Sequence, residues 1–266
     1  MLKDVITKEE FNASFQEFIK SLNSYVCDEY NNWNIKGFID KNKYIYSISD
    51  DTKIISKILE IHIFPLIYEY AQKIGYNIVL PNCQNYYPDI SFVNKIDNSI
   101  KFAVDFKSTY RKDKDRCNGF TLGSHGEYFQ QRSSTKNIQF PYKDYKAHYC
   151  LGIIYTRVMQ EKANEFIKYP IDKIISIPSV IKDIEFFFKE KWQIASDIRG
   201  SGNTANIGSI TKISDIIKGK GTFSEYGESL FDDYWINYGK IIITCKDGKT
   251  KKITKLKEFL EYKGIK

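Results

Sequence analysis

The spacing of apolar and polar positions near the start of the chain predicts a helix. Thr7 stands three residues before Glu10, the capping-box arrangement in which each side chain accepts the other residue's backbone N–H. The apolar positions that follow recur every three or four residues and share one helical face: Phe11, Phe15, Phe18 and Leu22. We expect this face to pack against the core or against a second subunit.

Alternating and helical patterns follow each other in the next segment. Residues 35–39 and 44–48 alternate around a polar turn and predict a hairpin. Asp51 caps a long helix that we expect to end at Gly75. Glu60 falls in the middle of this helix among apolar neighbours. Such a glutamate is ordinarily solvated, but it becomes a third acidic group near a metal if the helix crosses behind the strand pair described below.

Shorter apolar runs predict the remaining elements, and the length bounds the domain count. The runs at 76–80, 150–155, 186–188 and 192–195 predict strands, whereas 213–217 and 225–238 predict helices. A chain of 266 residues can bury one large core, which favours a single domain over residues 1–266 and leaves two open.

The residues best suited to chemistry lie around two apolar runs. Residues 90–93 and 103–109 are separated by a polar turn, which predicts a hairpin. Asp105 and Lys107 are two positions apart in the second strand, so they share one face of it. Asp89 begins the first run and comes beside Asp105 if the two runs pair. The pattern therefore gathers two carboxylates and one ammonium group.

This grouping suits metal-assisted hydrolysis of a phosphodiester. Carboxylate oxygens hold Mg²⁺, which keeps most of its waters and accepts substrate phosphate oxygens as further ligands. A nearby lysine can orient or deprotonate the attacking water, or neutralise the pentavalent phosphorus. The alternative is an ion pair between Asp105 and Lys107, with Asp89 an ordinary turn residue. The preceding Pro88-Asp89 favours the catalytic interpretation.

Two polar loops are candidates for reading DNA bases. The loop at about 82–87 carries Gln84 and Asn85, whose amides both donate and accept hydrogen bonds. The loop at about 199–209 holds three glycines and two asparagines, which allow close backbone approach to a ligand. No lysine follows these glycines as in a phosphate-binding loop, so major-groove entry is favoured. An ordinary surface loop is the alternative in both cases.

Composition narrows the class of partner. The 40 Lys and Arg residues exceed the 33 Asp and Glu residues, a net charge of +7 that favours a polyanionic partner. The five scattered cysteines contain no Cys-x-x-Cys pair, which argues against a zinc site or disulfide framework and fits a reducing cytoplasm. No apolar run is long enough to span a bilayer, so we expect no membrane association.

At this point the residues show a resemblance. The Pro-Asp…Asp-x-Lys spacing resembles the PD-(D/E)xK nucleases, and the wider chain is similar to type II restriction endonucleases of that superfamily. The similarity covers about Asp51 to Tyr238. It is carried by Ser49-Asp50-Asp51-Thr52-Lys53, Gln84-Asn85-Tyr86-Tyr87-Pro88-Asp89, Phe120-Thr121-Leu122-Gly123, Thr135-Lys136-Asn137-Ile138, Tyr155-Thr156-Arg157-Val158 and Gly200-Ser201-Gly202-Asn203-Thr204.

The resemblance implies an α/β fold with a restriction-endonuclease-like core, a mixed central β-sheet flanked by helices. It further implies a homodimer on double-stranded DNA that cuts GATATC at its centre to blunt ends with Mg²⁺. Asp89 and Asp105 would bind the metal, Lys107 would be the catalytic lysine and Glu60 an auxiliary acid and metal ligand, within a catalytic core at about 51–109.

The resemblance also implies a set of DNA contacts. Major-groove readers would be Gly200, Gly202, Asn203 and Thr204. Gln84 and Asn85 would approach from the minor groove. Thr109, Lys136 and Asn206 would lie near the DNA backbone or support the loops. Two alternatives stay open: a sequence-specific DNA-binding relative that does not cleave, and a repair-type nuclease that shares the Pro-Asp…Asp-x-Lys residues.

Overall fold

A five-stranded mixed sheet forms the centre of the fold. The computed structural model describes residues 7–159, 167–200, 205–244 and 248–265. With all strands numbered in chain order, the strands of this sheet are β3 Tyr76–Val79, β4 Ile90–Asn94, β5 Lys101–Tyr110, β7 Ala147–Arg157 and β9 Ile181–Glu190. They lie in the order β3-β4-β5-β7-β9. Antiparallel pairing joins β3 to β4 and β4 to β5, β5 and β7 are parallel, and β7 and β9 are antiparallel.

Helices and smaller sheets surround this sheet. The helices are α1 Lys8–Val26, α2 Thr52–Lys73, α3 Glu127–Gln130, α4 Lys191–Ile194, α5 Ile213–Lys218, α6 Glu228–Asn237 and α7 Leu256–Lys263. The remaining strands are β1 Gly37–Ile39, β2 Tyr44–Ser47, β6 Thr121–Ser124, β8 Lys168–Pro170, β10 Ala195–Arg199, β11 Asn206–Ser209, β12 Ile242–Thr244 and β13 Thr250–Lys252. The expected α/β fold with a mixed central sheet flanked by helices is confirmed.

The N-terminal helix packs on the central sheet. Both halves of the predicted capping box form between Thr7 and Glu10. Phe11 stacks on Phe102 of β5 with ring centroids 4.1 Å apart, and Phe15 stacks on Phe188 of β9 at 3.9 Å. Of the two expected partners for this apolar face, the core is therefore the one it contacts.

A second helix covers the same side of the sheet. Asp51 caps α2 by accepting the backbone N–H groups of Lys53 and Ile54, and Gly75 follows the helix with a positive φ of 80°, as expected. Pro65 lies inside the helix. Ile55, Leu59 and the other inward positions of α2 are buried in one cluster with α1 and one face of the sheet.

The opposite face of the sheet supports a second core and a smaller sheet. Ala103, Cys150 and Phe187 project into this core, which α5, α6 and α7 also line. A three-stranded sheet in the order β10-β11-β6 lies beside it. Since Asp105 and Lys107 alternate with the buried positions on the other face, they project to this side.

One predicted strand is wrong. Residues 192–195 were expected to form a strand, but Lys191–Ile194 is the short helix α4, and the strand β10 begins only at Ala195. The reason is a second capping box, in which the Glu190 side chain accepts the Gln193 backbone N–H and Gln193 accepts that of Glu190. Trp192 also donates to the Glu190 carboxylate over 2.9 Å. These local bonds override the apolar pattern.

A small peripheral sheet completes the described fold. The expected hairpin forms as β1 and β2, and β8 pairs with β2. None of the helices described has the length and apolar character needed to cross a lipid bilayer. The four described cysteines, Cys27, Cys83, Cys117 and Cys150, are free thiols.

Candidate active site

The hairpin of β4 and β5 brings the two predicted aspartates together. Ile90 pairs with Val104, which places the preceding Asp89 beside Asp105. The backbone N–H of Phe106 donates to Asp89 Oδ2 over 2.7 Å and fixes that carboxylate at the strand. Asp105 is 5% exposed, whereas Asp89 keeps 38% of its side-chain surface exposed. The Asp105 carboxylate is therefore buried, and the Asp89 carboxylate is partly exposed.

Lys107 bridges the two carboxylates. Its Nζ lies 2.8 Å from Asp105 Oδ2 and 3.7 Å from Asp89 Oδ2, and it also donates to the Phe106 carbonyl oxygen over 2.9 Å. About a quarter of the side chain is exposed. Asp89, Asp105 and Lys107, which the sequence predicts to lie together, therefore form one contiguous group.

A fourth charged residue, which sequence analysis missed, completes this group. Lys191 Nζ lies 3.2 Å from Asp105 Oδ2, and the side chain is only 7% exposed. The ammonium group also sits 3.9 Å from the centre of the Tyr87 ring, a cation–π contact. The only sequence signal was a lysine directly after the buried run of β9, and a lysine there is ordinarily read as a surface residue.

The neighbouring charges separate the pKa values of the two carboxyl groups. Burial, and then the negative charge of Asp105, raise the pKa of Asp89 to about 7, although Lys107 acts in the opposite direction. Burial also favours protonation of Asp105, but Lys107 and Lys191 outweigh it and hold the pKa of Asp105 below its usual range. Asp89 is therefore the carboxyl group that takes up a proton first as the pH falls.

The pKa values of Lys107 and Lys191 shift in opposite directions. Burial lowers the pKa of both ammonium groups. For Lys107 the two aspartates overcome this effect and raise the pKa above its ordinary value. For Lys191 burial prevails, helped by the positive charge of Lys107, and the pKa is lowered despite the contact with Asp105.

A buried aromatic stack lies beneath Lys191. The Tyr87 ring stacks on Tyr128 with centroids 5.4 Å apart, and its hydroxyl group lies 2.8 Å from His148 Nδ1. His148 Nε2 lies 3.2 Å from the Tyr142 carbonyl oxygen, which can only accept, so Nε2 carries the hydrogen and Nδ1 accepts from Tyr87. Burial, then the positive charge of Lys191, lower the pKa of His148 well below its usual value.

A cleft of about 590 Å³ opens beside this group of charged residues. Lys107 and Thr109 line it from β5, and Lys53, Lys57 and Glu60 line it from α2. Glu60 is thus in the same cleft as Lys107, but its carboxylate pairs with Lys57 at 2.7 Å. Across the described residues, no three Asp, Glu, His or Cys side chains are grouped closely enough to hold one metal ion. The structure therefore does not bring Glu60 into a shared metal site with Asp89 and Asp105.

The two aspartates have the chemistry that a magnesium ion requires. Both offer hard carboxylate oxygens, and Asp89 is exposed enough for a hydrated ion to reach. Burial and the neighbouring Asp105 carboxylate both disfavour the ionised form of Asp89, whose pKa they raise to about 7, and a bound divalent cation would favour that ionised form. The residues present therefore fit Mg²⁺ with Asp89 and Asp105 as its protein ligands.

The loop that carries Gln84 and Asn85 is anchored at both ends. The Asn82 backbone N–H donates to the Gln139 side chain over 2.8 Å, and the Tyr87 N–H donates to the Asn137 carbonyl over 3.0 Å. Gln84 and Asn85 themselves are exposed. The anchors hold the loop next to Asp89 while leaving both amides available.

The glycine-rich loop is described only at its base. The Gly200 N–H donates to the Asn206 carbonyl oxygen over 2.9 Å, which closes the loop where β10 meets β11. A Cβ on Gly208 would lie 2.5 Å from the Ile198 carbonyl oxygen, so only glycine fits this close strand approach. Gly202, Asn203 and Thr204 lie outside the described residues.

Thr109 and Lys136, the remaining predicted DNA contacts, have protein partners. The buried Thr109 hydroxyl donates to the Asn118 carbonyl oxygen over 3.0 Å, so it supports the segment that lines the cleft. Lys136 pairs with Glu127 at 2.7 Å, and 66% of its side chain is exposed. Thr109 thus has a supporting position, and Lys136 remains at the surface.

A basic groove continues from the cleft. This groove, of about 670 Å³, shares Asn118, Gly119 and Phe120 with the cleft around Lys107. Its cationic lining residues are Arg116, Arg199, Lys212 and Lys220. Gly200, at the base of the glycine-rich loop, also lines it. The cleft around Lys107 and this groove, with its four cationic residues, thus adjoin each other between the charged group and that loop.

Comparison with known proteins identifies the family to which this chain belongs. The chain matches the family model described as restriction endonuclease EcoRV over residues 29–264. It is 39% identical to the type II restriction enzyme EcoRV of Escherichia coli over 212 residues, which cover 79% of this chain and 84% of that protein. Among solved structures, the NlaIV restriction endonuclease shares 12% identity with a TM-score of 0.44, each chain being covered over 87%. The chain therefore belongs to the EcoRV family of restriction endonucleases and is a type II restriction endonuclease.

Proposed function

We propose that this enzyme cuts duplex DNA at the palindrome GATATC, at the central step and to blunt ends, by Mg²⁺-dependent hydrolysis in the cytoplasm. The observation that carries the proposal is the contiguous group of Asp89, Asp105 and Lys107 beside a cation-lined cleft. The 39% identity to EcoRV supports transfer of the recognition sequence, because the glycine-rich loop falls inside the family match. The two cores share one central sheet, which supports a single domain over residues 1–266.

Each member of the catalytic group has a defined task. Asp89 and Asp105 hold the metal, and Asp89 is oriented for this by the Phe106 N–H. Bound there, Mg²⁺ would act as a Lewis acid on the scissile phosphate and lower the pKa of a water ligand. Lys107 presents a cation toward the cleft, where it orients the attacking water and neutralises charge on the pentavalent phosphorus. Glu60, held at 2.7 Å by Lys57, is an auxiliary acid in the same cleft.

Recognition is divided between the two polar loops. Gly200, Gly202, Asn203 and Thr204 read base edges from the major groove, where each base pair presents a distinct pattern of donors and acceptors. Gln84 and Asn85 approach the minor groove. Asn206 supports the base of the glycine-rich loop through the Gly200 N–H, and Lys136 contacts the DNA backbone. The flexible TA step at the centre of GATATC favours bending toward the catalytic groups.

A homodimer supplies one catalytic group for each strand. The two-fold symmetry of a palindrome is matched by two identical subunits. Apolar side chains are exposed in and near the β1-β2-β8 sheet, with Phe38 and Ile39 each 57% exposed and Ile175 92% exposed, and they offer apolar surface that a second subunit could cover.

A panel of short duplexes tests the proposed function. One duplex carries GATATC, others carry single-base changes in it, and one carries a flap or junction in place of the site. Cutting of the GATATC duplex alone, with Mg²⁺ and not with chelator, is the expected result. Preference for the flap or junction would favour the repair-type nuclease, and tight binding to GATATC without cutting would favour a non-cleaving relative.

A further inference from the structure

Two lysines share one carboxylate oxygen at the active site. Asp105 Oδ2 lies 2.8 Å from Lys107 Nζ and 3.2 Å from Lys191 Nζ. Lys107 also lies 3.7 Å from Asp89 Oδ2 and is therefore shared between two carboxylates, whereas the described ion pair of Lys191 is with Asp105 alone. The two lysines differ in exposure: 24% of the Lys107 side chain is exposed, against 7% for Lys191.

Lys191 is held in place by its surroundings. It is the first residue of α4, whose start is fixed by the reciprocal bonds between Glu190 and Gln193. Its ammonium group lies over the Tyr87 ring, and a Cβ on Gly123 would come within 3.1 Å of it. Lys191 does not line the cleft that Lys107 lines. It is a fixed partner of Asp105.

Lys107 is placed to move. Its side chain lines the cleft of about 590 Å³, and apart from the two aspartates its described partner is the carbonyl oxygen of its own neighbour, Phe106. In the structure the Lys107 ammonium group is directed at the two aspartates and at the Phe106 carbonyl oxygen, so it has to reorient to place its charge on a phosphate in the cleft. If Lys107 left Asp105 Oδ2 and no other cation contacted that oxygen, a buried negative charge would be unpaired there, which is costly.

We propose that Lys191 is a positioning residue that keeps hold of Asp105 Oδ2, so that Lys107 can leave this oxygen and turn toward the attacked phosphate. The inference rests on the proposed nuclease function and adds a residue to its machinery. Lys191 touches neither substrate nor metal in this account. It acts through Asp105 and Lys107.

The test compares three variants with the wild type. Lys191→Met removes the charge and keeps most of the volume, and Lys191→Arg keeps the charge. Lys189→Met is the matched control, because Lys189 is a half-buried lysine that pairs with no carboxylate among the described residues. It lies two strands from Asp105 through Cys150, roughly 10 Å away at ordinary strand spacing. Thermal unfolding of each variant establishes that it is folded.

Two measurements distinguish a positioning role of Lys191 from a general disruption of the active site. The first is the single-turnover rate of cutting a GATATC duplex with enzyme in excess and saturating Mg²⁺. The second is the affinity for the same duplex as Ca²⁺ is titrated in place of Mg²⁺. We expect Lys191→Met to cut about 10–100-fold more slowly, the usual effect of removing a residue that orients a metal ligand. Its duplex affinity and Ca²⁺ midpoint should match the wild type, and Lys191→Arg should recover much of the rate.

The other possible outcomes contradict the inference about Lys191. Wild-type cutting by Lys191→Met would overturn the inference. So would a rate that excess Mg²⁺ restores, since Lys191 would then serve metal binding alone. If Lys191→Met is unfolded, Lys191→Gln takes its place with the same expected slowing, and loss of folding in both assigns Lys191 to stability only. If the wild type cuts no duplex, the proposed function fails and this inference falls with it.

Discussion

The backbone N–H of Phe106 donates a 2.7 Å hydrogen bond to the Asp89 carboxylate. This bond crosses from β5 to the residue that precedes β4, and it ties Asp89 to the strand that carries Asp105 and Lys107. Since Phe106 lies between Asp105 and Lys107, the same strand segment supplies a carboxylate, a backbone donor and an ammonium group to one point. The relative positions of Asp89, Asp105 and Lys107 are therefore set by the pairing register of a single hairpin.

Removing the Lys107 ammonium group should abolish cutting and spare binding. Lys107→Ala leaves Asp89, Asp105 and both polar loops in place, but it removes the cation that faces the cleft. We expect a loss in cleavage rate of at least about 10²-fold, as for removal of one charge-stabilising donor. Duplex affinity measured with Ca²⁺ should be unchanged. Lys95→Ala, at the exposed hairpin turn, is the control, and unimpaired cutting by Lys107→Ala would refute its role.

Asn203 should govern discrimination among sites. Asn203→Ala removes an amide that we assign to the reading of base edges, and a well-placed contact of this kind contributes about 1–3 kcal/mol against a wrong base. The ratio of cleavage rates at GATATC and at singly substituted sites should therefore fall. Asn42→Ala, in the exposed β1–β2 turn, serves as the control. An unchanged ratio would remove the recognition role from the glycine-rich loop.

Sequence reasoning succeeded where the relevant contacts are local. The hairpin and the Asp89–Asp105 pair follow from apolar runs a few residues apart, and the α1 capping box follows from a spacing of three. Lys191 could not be found in this way, because it reaches Asp105 from 86 residues away. Its importance depends on the packing of β9 against β7 and on the Tyr87 ring beneath it, neither of which leaves a local pattern.

Contacts that leave no local sequence pattern also explain the other differences between the predictions and the structure. Residues 192–195 have the apolar pattern of a strand, but bonds between Glu190 and Gln193 make a helical turn instead. Glu60 was placed correctly on a helix, whereas its pairing with Lys57 depends on side-chain conformations that no sequence pattern encodes. Patterns predicted the elements, and tertiary contacts decided which charged groups meet.

His148 should make the fold sensitive to acid. Its pKa is lowered well below the ordinary value by burial and by Lys191, so the folded state keeps the imidazole neutral. Above the unfolded-state pKa of about 6.5 the imidazole is neutral in both states, so the lowered pKa does not change the free energy of unfolding. As the pH falls below that value, the unfolded chain binds a proton that the folded chain does not bind. Stability should then fall by up to about 1.4 kcal/mol per pH unit from this residue alone.

Comparing the wild type with His148→Gln measures that contribution. Urea unfolding in chelator at pH 7.5, 6.5 and 5.5 gives the free energy of unfolding of each protein. Because the other titrating groups are common to both proteins, the difference between the two slopes reports His148. The variant should lose less stability toward pH 5.5. Parallel pH dependences would show that His148 is not held neutral.

The first helix should contribute strongly to stability although it precedes the family match at residue 29. Phe11 is fully buried and stacks on Phe102 of the central sheet. Phe11→Ala should lower the free energy of unfolding by about 3–5 kcal/mol, the usual cost of truncating a buried aromatic. Tyr30→Ala removes a side chain that is 75% exposed and should have little effect. Equal unfolding midpoints would mean that α1 is not docked in solution.

The most direct test is a digest of a plasmid that carries one GATATC, beside a matched plasmid that lacks it. Each is incubated with the enzyme in Mg²⁺ and, in parallel, in chelator, and the product ends are sequenced. The account predicts one cut at the centre of GATATC with blunt ends, in Mg²⁺ only. Mg²⁺-dependent cutting at other sequences would contradict the assigned recognition, and intact plasmids despite tight duplex binding would contradict the assignment of Asp89, Asp105 and Lys107 to catalysis.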